Sequence, residues 1–242
     1  MAVIFSKQVE GVRYEVRTAG ATRRLYTNGA FHTQYNPNSL FTGAVWDLLC
    51  LPVLCREQAP ASVLVLGVAG GTAIHQLQAL CNNPQITGIE FDRVHIELAR
   101  SHFDLDYPNL KLVHADARDW LARSKQKFDC IIDDIFVHGE SDPERPVALD
   151  KRWFRQLKSH LNKDGLLIQN HIDHESAKQA ASFMKQGSLL GFQTDKYENL
   201  VLAWFRAGPG EKRLQRNLES RLAAMPRAVT SRLRSDVFRF SA

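Results

Sequence analysis

Four small residues, Gly67, Ala69, Gly70 and Gly71, occupy a five-residue stretch between the aliphatic run Val63–Leu66 and a helix-forming segment that opens at Thr72. Without bulky side chains the backbone of such a turn can approach a ligand closely, and the first N–H groups of the following helix can donate to it. The order Gly-x-x-Gly-Gly is not the dinucleotide fingerprint Gly-x-Gly-x-x-Gly, so by itself the turn is either a nucleoside cradle or a tight connection. Glu90 narrows the choice. It ends the segment "ITGIE" 23 residues after Gly67, near the roughly 20-residue spacing at which a carboxylate reaches ribose hydroxyls. Asp116, in "LVHADARDWL" with Ala117 beside it, follows a third apolar segment. Its carboxylate can accept from an adenine amino group, cap the helix that starts near Arg118, or do both.

These acids can meet only at the ends of strands, and the pattern around them supplies strands. Apolar runs predict strands at Val63–Gly67, Ile86–Glu90, Leu110–Val113, Phe128–Asp133 and Gly165–Gln169. Between and after them, helical spacing fits Thr72–Cys81, Arg93–Phe103, Arg118–Arg123, Lys151–Leu161 and Glu175–Gly187. The alternation predicts an α/β fold, a Rossmann-like, doubly wound and mostly parallel sheet that binds ligands at its carboxyl edge. "FQTDKY" and "NLVLAWFRA" predict an antiparallel C-terminal hairpin turning at "EN". From Val3 to Tyr35, short β-rich pieces separated at Gly11, "TAGAT" and "NGA" predict a small antiparallel N-terminal sheet. "NPNS" is expected to start a helix through "LFTGAVWDLLCL", closed with the help of Pro52. The chain thus divides into a β-rich segment, 1–35, a Rossmann-like binding domain, 36–208, and a basic tail, 209–242.

Composition excludes several classes of function. Of the 242 residues, 44% are hydrophobic and 24% charged, the balance of a globular chain able to bury one sizeable core. The first residues lack the apolar run of a signal peptide and no stretch has the length of a membrane span, so a cytoplasmic protein without membrane contact is expected. Four scattered cysteines fit neither a zinc set nor a disulfide framework. The net charge of +5 resides entirely in residues 209–242, which hold eight Lys or Arg against three Asp or Glu. A nucleic-acid role is therefore not expected of the core. In the tail, Leu214, Leu218, Leu222 and Met225 form one helical stripe suited to packing on the domain or on a second copy in a homodimer, and the arginines on the other faces leave an anionic partner open.

"VLVLGVAGG", "GIEFD", "YPNLKLVHADARDWL" and "KFDCIIDDIF" resemble, in order and spacing, the cofactor-binding blocks of spermidine synthases, within the class I S-adenosylmethionine-dependent fold. "ALDKRWFRQLKSHLNKDGLLIQN" is similar to the segment after that family's catalytic loop, and "RRLYTNGAFHTQY" to its β-rich lead-in. The resemblance covers roughly Leu25 to Asn170. Val65 stands where common methyltransferases carry an acid, again similar to spermidine synthases. The resemblance implies that Glu90 holds ribose, Asp116 adenine, and Gly67 to Gly71 the sulfonium-bearing chain. It also implies a catalytic role for Asp134, which matches the first aspartate of the family's D-S-S-D-P loop and would take a proton from, or orient, an attacking amine. Asp133 should face the other side of the strand end and is given no chemistry.

The departures from the family set the functional expectation. Gly70 falls where the family's turn has an aspartate, which attracts the ammonium of decarboxylated S-adenosylmethionine and repels the carboxylate of S-adenosylmethionine itself. Val137 replaces the second loop aspartate, and "SLFTGAVWDLL" has no counterpart of the family's Tyr-Gln pair for the polyamine. With Gly70, the turn's N–H groups are expected to receive a carboxylate, so the leading expectation is a methyltransferase using S-adenosylmethionine. The alternative is aminopropyl transfer from the decarboxylated donor to a small amine, with Glu140, Asp142, Glu144 and Asp173 replacing lost carboxylates. A non-catalytic nucleoside-binding protein is the third reading.

Histidines near the expected mouth complete the candidates. His138 and His171 are assigned to acceptor contact or to a second base, and His32, where the family has a glutamine, to the pocket wall. "QNHIDH" mixes imidazole with carboxylate, which does not suit magnesium, and no metal is expected. His75, His95, His102 and His160 are expected at ordinary surface or interface positions.

Overall fold

The computed structural model describes residues 1–138 and 143–240. The chain opens with an antiparallel meander, β1 (Ala2–Val9), β2 (Val12–Ala19), β3 (Thr22–Thr27) and β4 (Ala30–Tyr35). Asn28 and Gly29 both take positive φ between β3 and β4, the left-handed pair that matches the twist of a tight hairpin. Next come α1 (Val45–Cys50), a 3-10 turn (Leu51–Cys55), β5 (Ser62–Leu66), α2 (Thr72–Leu80), β6 (Gln85–Glu90), α3 (Arg93–His102), β7 (Leu110–His114), α4 (Ala117–Arg123) and β8 (Phe128–Asp133). Two short strands, β9 (Val137–His138) and β10 (Pro143–Glu144), pair antiparallel. The remainder comprises α5 (Lys151–Ser159), β11 (Leu161–His171), α6 (His174–Ala181), β12 (Ser188–Thr194), β13 (Tyr197–Phe205), α7 (Glu211–Ala223), α8 (Arg227–Thr230) and β14 (Asp236–Arg239).

The large sheet runs β14-β12-β13-β11-β8-β5-β6-β7. Strands β7, β6, β5, β8 and β11 are parallel, while β13, β12 and β14 continue the sheet antiparallel. The chain winds outward from β5 to β7 and then returns to place β8 on the other side of β5, so a crevice opens where these two strands end. Successive residues of β5 serve opposite faces. Val63 and Val65 pack with α1, α2 and α7, whereas Leu64 and Leu66 pack with α4, α5 and α6. All four are essentially buried, each contributing on the order of 1.5–3 kcal/mol. Tyr14, Val16 and Leu25 of the meander bury against Val94, Leu98 and Phe103, fixing the small sheet beside α3.

Several boundaries differ from the sequence expectation. No helix starts at "NPNS"; α1 begins at Val45, and Pro52 lies at the start of the 3-10 turn, where its missing N–H costs nothing. The helix expected to reach Gly187 stops at Ala181, and the chain turns through Gln186 at positive φ before β12. The terminal hairpin turns at Asp195–Lys196, not at Glu198–Asn199. In the tail, Leu214 and Leu218 are buried against the domain, with Leu222 and Met225 partly buried beside them, and α7 packs on the 3-10 turn. The last strand, β14, for which the sequence carries no expectation, pairs with β12 at the sheet edge. Among the described residues, no helix is long and apolar enough to cross a membrane.

Candidate active site

The glycine turn leaves β5 in a conformation its residues permit. Gly67 and Gly71 have φ near +85°, and Ala69 also lies in the left-handed region. A side chain at Gly67 would collide with the carbonyl of Asp134, so the glycine is what lets the β5 and β8 ends close on each other. The turn's N–H groups are all engaged. Gly67 donates to the Ile89 carbonyl (3.0 Å), Gly71 to the Val68 carbonyl (2.8 Å), and Val68 and Ala69 to one oxygen of Glu90 (both 2.8 Å). Gly70 donates to the Thr33 hydroxyl of β4 at 2.8 Å. This corrects the expectation that the turn's N–H groups would be open to a donor carboxylate: Glu90, Thr33 and two carbonyls already occupy them. Thr72 adds a second link by donating its hydroxyl to the Gln34 carbonyl (2.8 Å).

Glu90 is buried at the end of β6, where its second oxygen accepts from the Asp92 N–H (2.8 Å). A carboxylate has about four lone-pair positions, so the three N–H bonds leave room for about one hydroxyl. Asp116 caps α4 by accepting from the Arg118 N–H (2.7 Å), and the Arg118 guanidinium binds the same carboxylate at 2.5 Å. Those hydrogen bonds hold it below the usual carboxylate range. Asp116 also lines an open depression with Lys111, Ala115, Asp119 and Trp120, and Ala117 is buried at the first position of α4. The Ala115 N–H donates to the Glu90 carbonyl (3.0 Å), which sets the Asp116 loop against the end of β6.

Asp133 and Asp134 face opposite sides, as alternation along a strand requires. Asp133 is fully buried and held by three donors, accepting from Arg145 (2.5 Å), the Trp153 indole (2.8 Å) and Gln169 (2.8 Å). Asp134 is half-buried and accepts a single side-chain bond among the described residues, from the Asn170 amide to Oδ1 (2.8 Å). Burial pushes its carboxyl up to about 7, although the Asn170 bond and the nearby Arg145 charge oppose the shift. The parallel register of β11 with β8 pairs Gln169 with Asp133 and so carries Asn170 to the Asp134 side. In "QNHIDH" only the histidines and Asp173 stand out by type, and the signal for Asn170 is strand alternation from Gln169. No local pattern in the sequence marks Arg145, Asn199 or Thr33.

The histidines fall differently from expectation. His171 lies on the Asp133 side of β11, fully buried, and among the described residues neither ring nitrogen has a hydrogen-bond partner. Burial, reinforced by the Arg145 charge, lowers it to about 3, so it is neutral and does not join Asp134. His32 on β4 packs its ring 5.2 Å from that of His95. The His138 side chain, Glu140 and Asp142 lie outside the described residues. Asp173 caps α6 by accepting from the Ser176 N–H (2.7 Å), and Glu144 is exposed. His95 and His160 are not surface residues: His95 is buried against the Thr27 hydroxyl (2.8 Å), and His160 sits between the Gln126 and Leu121 carbonyls. His75 is held by the Tyr107 hydroxyl and the Phe103 carbonyl, and burial lowers it to about 4.

Glycine turn, Glu90 and Asp134 therefore converge at the β5/β8 crevice, with Asp116 on its flank. The family model described as "Spermine/spermidine synthase domain" matches residues 47–201, which contain all of these groups. The chain belongs to the spermine/spermidine synthase family. A polyamine aminopropyltransferase of Vibrio vulnificus is 26% identical over 189 residues, covering 73% of this chain and 61% of the relative. A probable polyamine aminopropyl transferase of Bifidobacterium longum is 32% identical over 131 residues, covering 53% of this chain and 28% of the relative. The chain thus spans between about a quarter and three-fifths of the length of these curated relatives. A probable spermidine synthase of Corynebacterium glutamicum has the same fold, with a TM-score of 0.77 at 16% identity, covering 99% of this chain and 91% of that one. At Gly70, Thr33 takes the space a side chain would need: a Cβ there would lie 2.5 Å from the Thr33 methyl carbon.

Proposed function

We propose that the protein is a transferase that moves the aminopropyl group of decarboxylated S-adenosylmethionine to a small amine. The observation that carries this reading is Asp134. It is a half-buried carboxylate with proton affinity near neutrality and one oxygen unbonded among the described residues, at the mouth formed by the β5 and β8 ends. A base of that strength matches the proton an amine releases as it becomes a nucleophile. The lone pair of the acceptor nitrogen forms the new N–C bond, the C–S bond of the sulfonium breaks with its electrons going to sulfur, and the ammonium proton passes to Asp134. Glu90 would hold one ribose hydroxyl with its remaining acceptor capacity. Asp116 would face adenine only by sharing a carboxylate already bound by Arg118. The named activities of the relatives support this reading over methyl transfer, and so does the occupied Gly70 N–H, which removes the proposed seat for a donor carboxylate.

A second reading, methyl transfer from S-adenosylmethionine, is favoured by one observation: the turn bears no carboxylate at residue 70 to bind an ammonium. A single assay separates the two. Purified protein is incubated with putrescine and either donor, and the nucleoside product is identified by mass. Methylthioadenosine from the decarboxylated donor, with alkylated amine, is the expected result. Adenosylhomocysteine from the carboxylated donor alone would replace the proposal with the second reading.

A further inference from the structure

Asp134 does not stand alone at the end of β8. Its Oδ1 accepts from Asn170 Nδ2 (2.8 Å), and Asn170 Oδ1 in turn accepts from Asn199 Nδ2 (3.1 Å). Asn170 is buried on β11, while Asn199 is on β13, the neighbouring antiparallel strand. The outer bond decides which way the inner amide points, because an amide whose oxygen is already accepting can present only its NH2 to the carboxylate. The Asn170 backbone carbonyl also accepts from Arg145 Nη1 (3.4 Å), so the residue is fixed at main chain and side chain.

We infer that Asn170, oriented by Asn199, is the positioning residue for Asp134: it holds Oδ1 and so leaves Oδ2 as the oxygen that meets the acceptor. This inference rests on the proposed role of Asp134 as a base. An amide suits the task because it is a neutral donor. A lysine or arginine at the same distance would stabilise the carboxylate far more and weaken it as a base, whereas an apolar residue would leave the carboxylate free to rotate. The relay also links the base to β13, the first antiparallel strand of the sheet. Trp153, Gln169 and Arg145 perform the matching work for Asp133 on the opposite face, so two adjacent acids are held by two separate sets of donors.

The test uses Asn170→Ala and Asn199→Ala in the full chain, with two readouts. In the first, the side-chain carboxyl of Asp134 is titrated by carbon-13 NMR, assigned by comparison with Asp134→Asn; this needs no turnover. A hydrogen bond to the charged form favours it, so its loss moves the Asp134 midpoint upward in Asn170→Ala, by roughly half a pH unit or more. Asn199→Ala moves it in the same direction by less. In the second, the acid limb of the kcat/KM profile for aminopropyl transfer moves with the midpoint while donor KM stays within about twofold. An unmoved midpoint in folded Asn170→Ala, or in Asn199→Ala should the first variant not fold, overturns the inference. If the midpoint moves but no donor is consumed by the wild-type protein, the relay stands and the aminopropyltransferase reading fails.

Discussion

Gly70 and Thr33 occupy a space that holds only one side chain. The glycine N–H donates to the threonine hydroxyl at 2.8 Å, and a Cβ on residue 70 would stand 2.5 Å from the threonine methyl carbon. The contact ties the small N-terminal sheet to the turn that begins α2, and it leaves no room for a side chain at residue 70 while Thr33 keeps its methyl.

Gly70→Asp is accordingly expected to lower the free energy of unfolding by about 1–3 kcal/mol, the usual cost of overpacking a tight site. Thr33→Ser deletes the obstructing methyl but keeps the hydroxyl, so the double variant should recover a substantial part of that loss. Denaturant unfolding of the two single variants and the double variant measures the coupling; strict additivity would show that the two residues do not compete. In the double variant, calorimetry should also show a shift of binding towards the decarboxylated donor, whose ammonium the new carboxylate attracts.

Asp134→Asn should abolish turnover while changing donor affinity no more than a few-fold, because the amide keeps the shape but cannot take a proton. Activity of the wild type should rise with pH through about 7 as Asp134 ionises, then level off. Stability runs the other way. The folded-state value lies above that of the unfolded chain, so this group's contribution is fully present below about pH 4 and is lost as pH rises through 7. The asparagine variant should therefore melt higher than wild type at pH 8; an equal or lower melting temperature would contradict the burial argument.

Arg145→Met leaves the fully buried Asp133 with two neutral donors and no counter-charge. Removing one partner of a buried pair typically costs about 3–5 kcal/mol, and a loss of that order is expected in urea unfolding. Arg213→Met, which removes an exposed pair with Glu57, is the control and should change little. Equal effects from the two substitutions would mean that Asp133 does not depend on Arg145.

His171 is buried and held to about 3 by burial and the Arg145 charge. A depressed histidine contributes stability that is present above the unfolded value, near 6.5, and is lost as pH falls towards the folded one. Wild type should therefore lose stability relative to His171→Leu by about 1.4 kcal/mol per pH unit below pH 6.5. Parallel stability curves for the two proteins between pH 5 and 7 would show that the imidazole is not held neutral by the fold.

Much of the candidate site was legible because it is built from local patterns. The glycine turn, Glu90 and Asp134 each follow an aliphatic strand, and strand–helix alternation forces those strand ends to one edge of the sheet. The tail stripe at Leu214 and Leu218 was legible for the same reason, since helical spacing alone marks a face to be buried. Misreadings came where contact crosses the chain. His95 lies on α3, and the burial that removes it from the surface comes from Tyr14 and Thr27, far away in sequence. His171 and Asp134 were grouped because both follow strands, yet strand alternation puts them on opposite faces.

By itself, the sequence determined the fold class and the sheet edge at which the candidate acids gather, because both depend on periodicity, turn residues and acids at fixed spacing, while its motif blocks carried the resemblance to the family. Only the tertiary structure decided which hydrogen bonds are already taken. The turn's N–H groups read as open in the sequence and are occupied in the fold, that of Gly70 because Thr33 comes from a sheet 37 residues earlier. Asn170 reads as an ordinary strand-end residue until β8, β11 and β13 align and place its amide between Asp134 and Asn199. Hydrogen bonds of short range and strict direction are satisfied by whichever group folding brings near, and strand register, not sequence spacing, makes that choice.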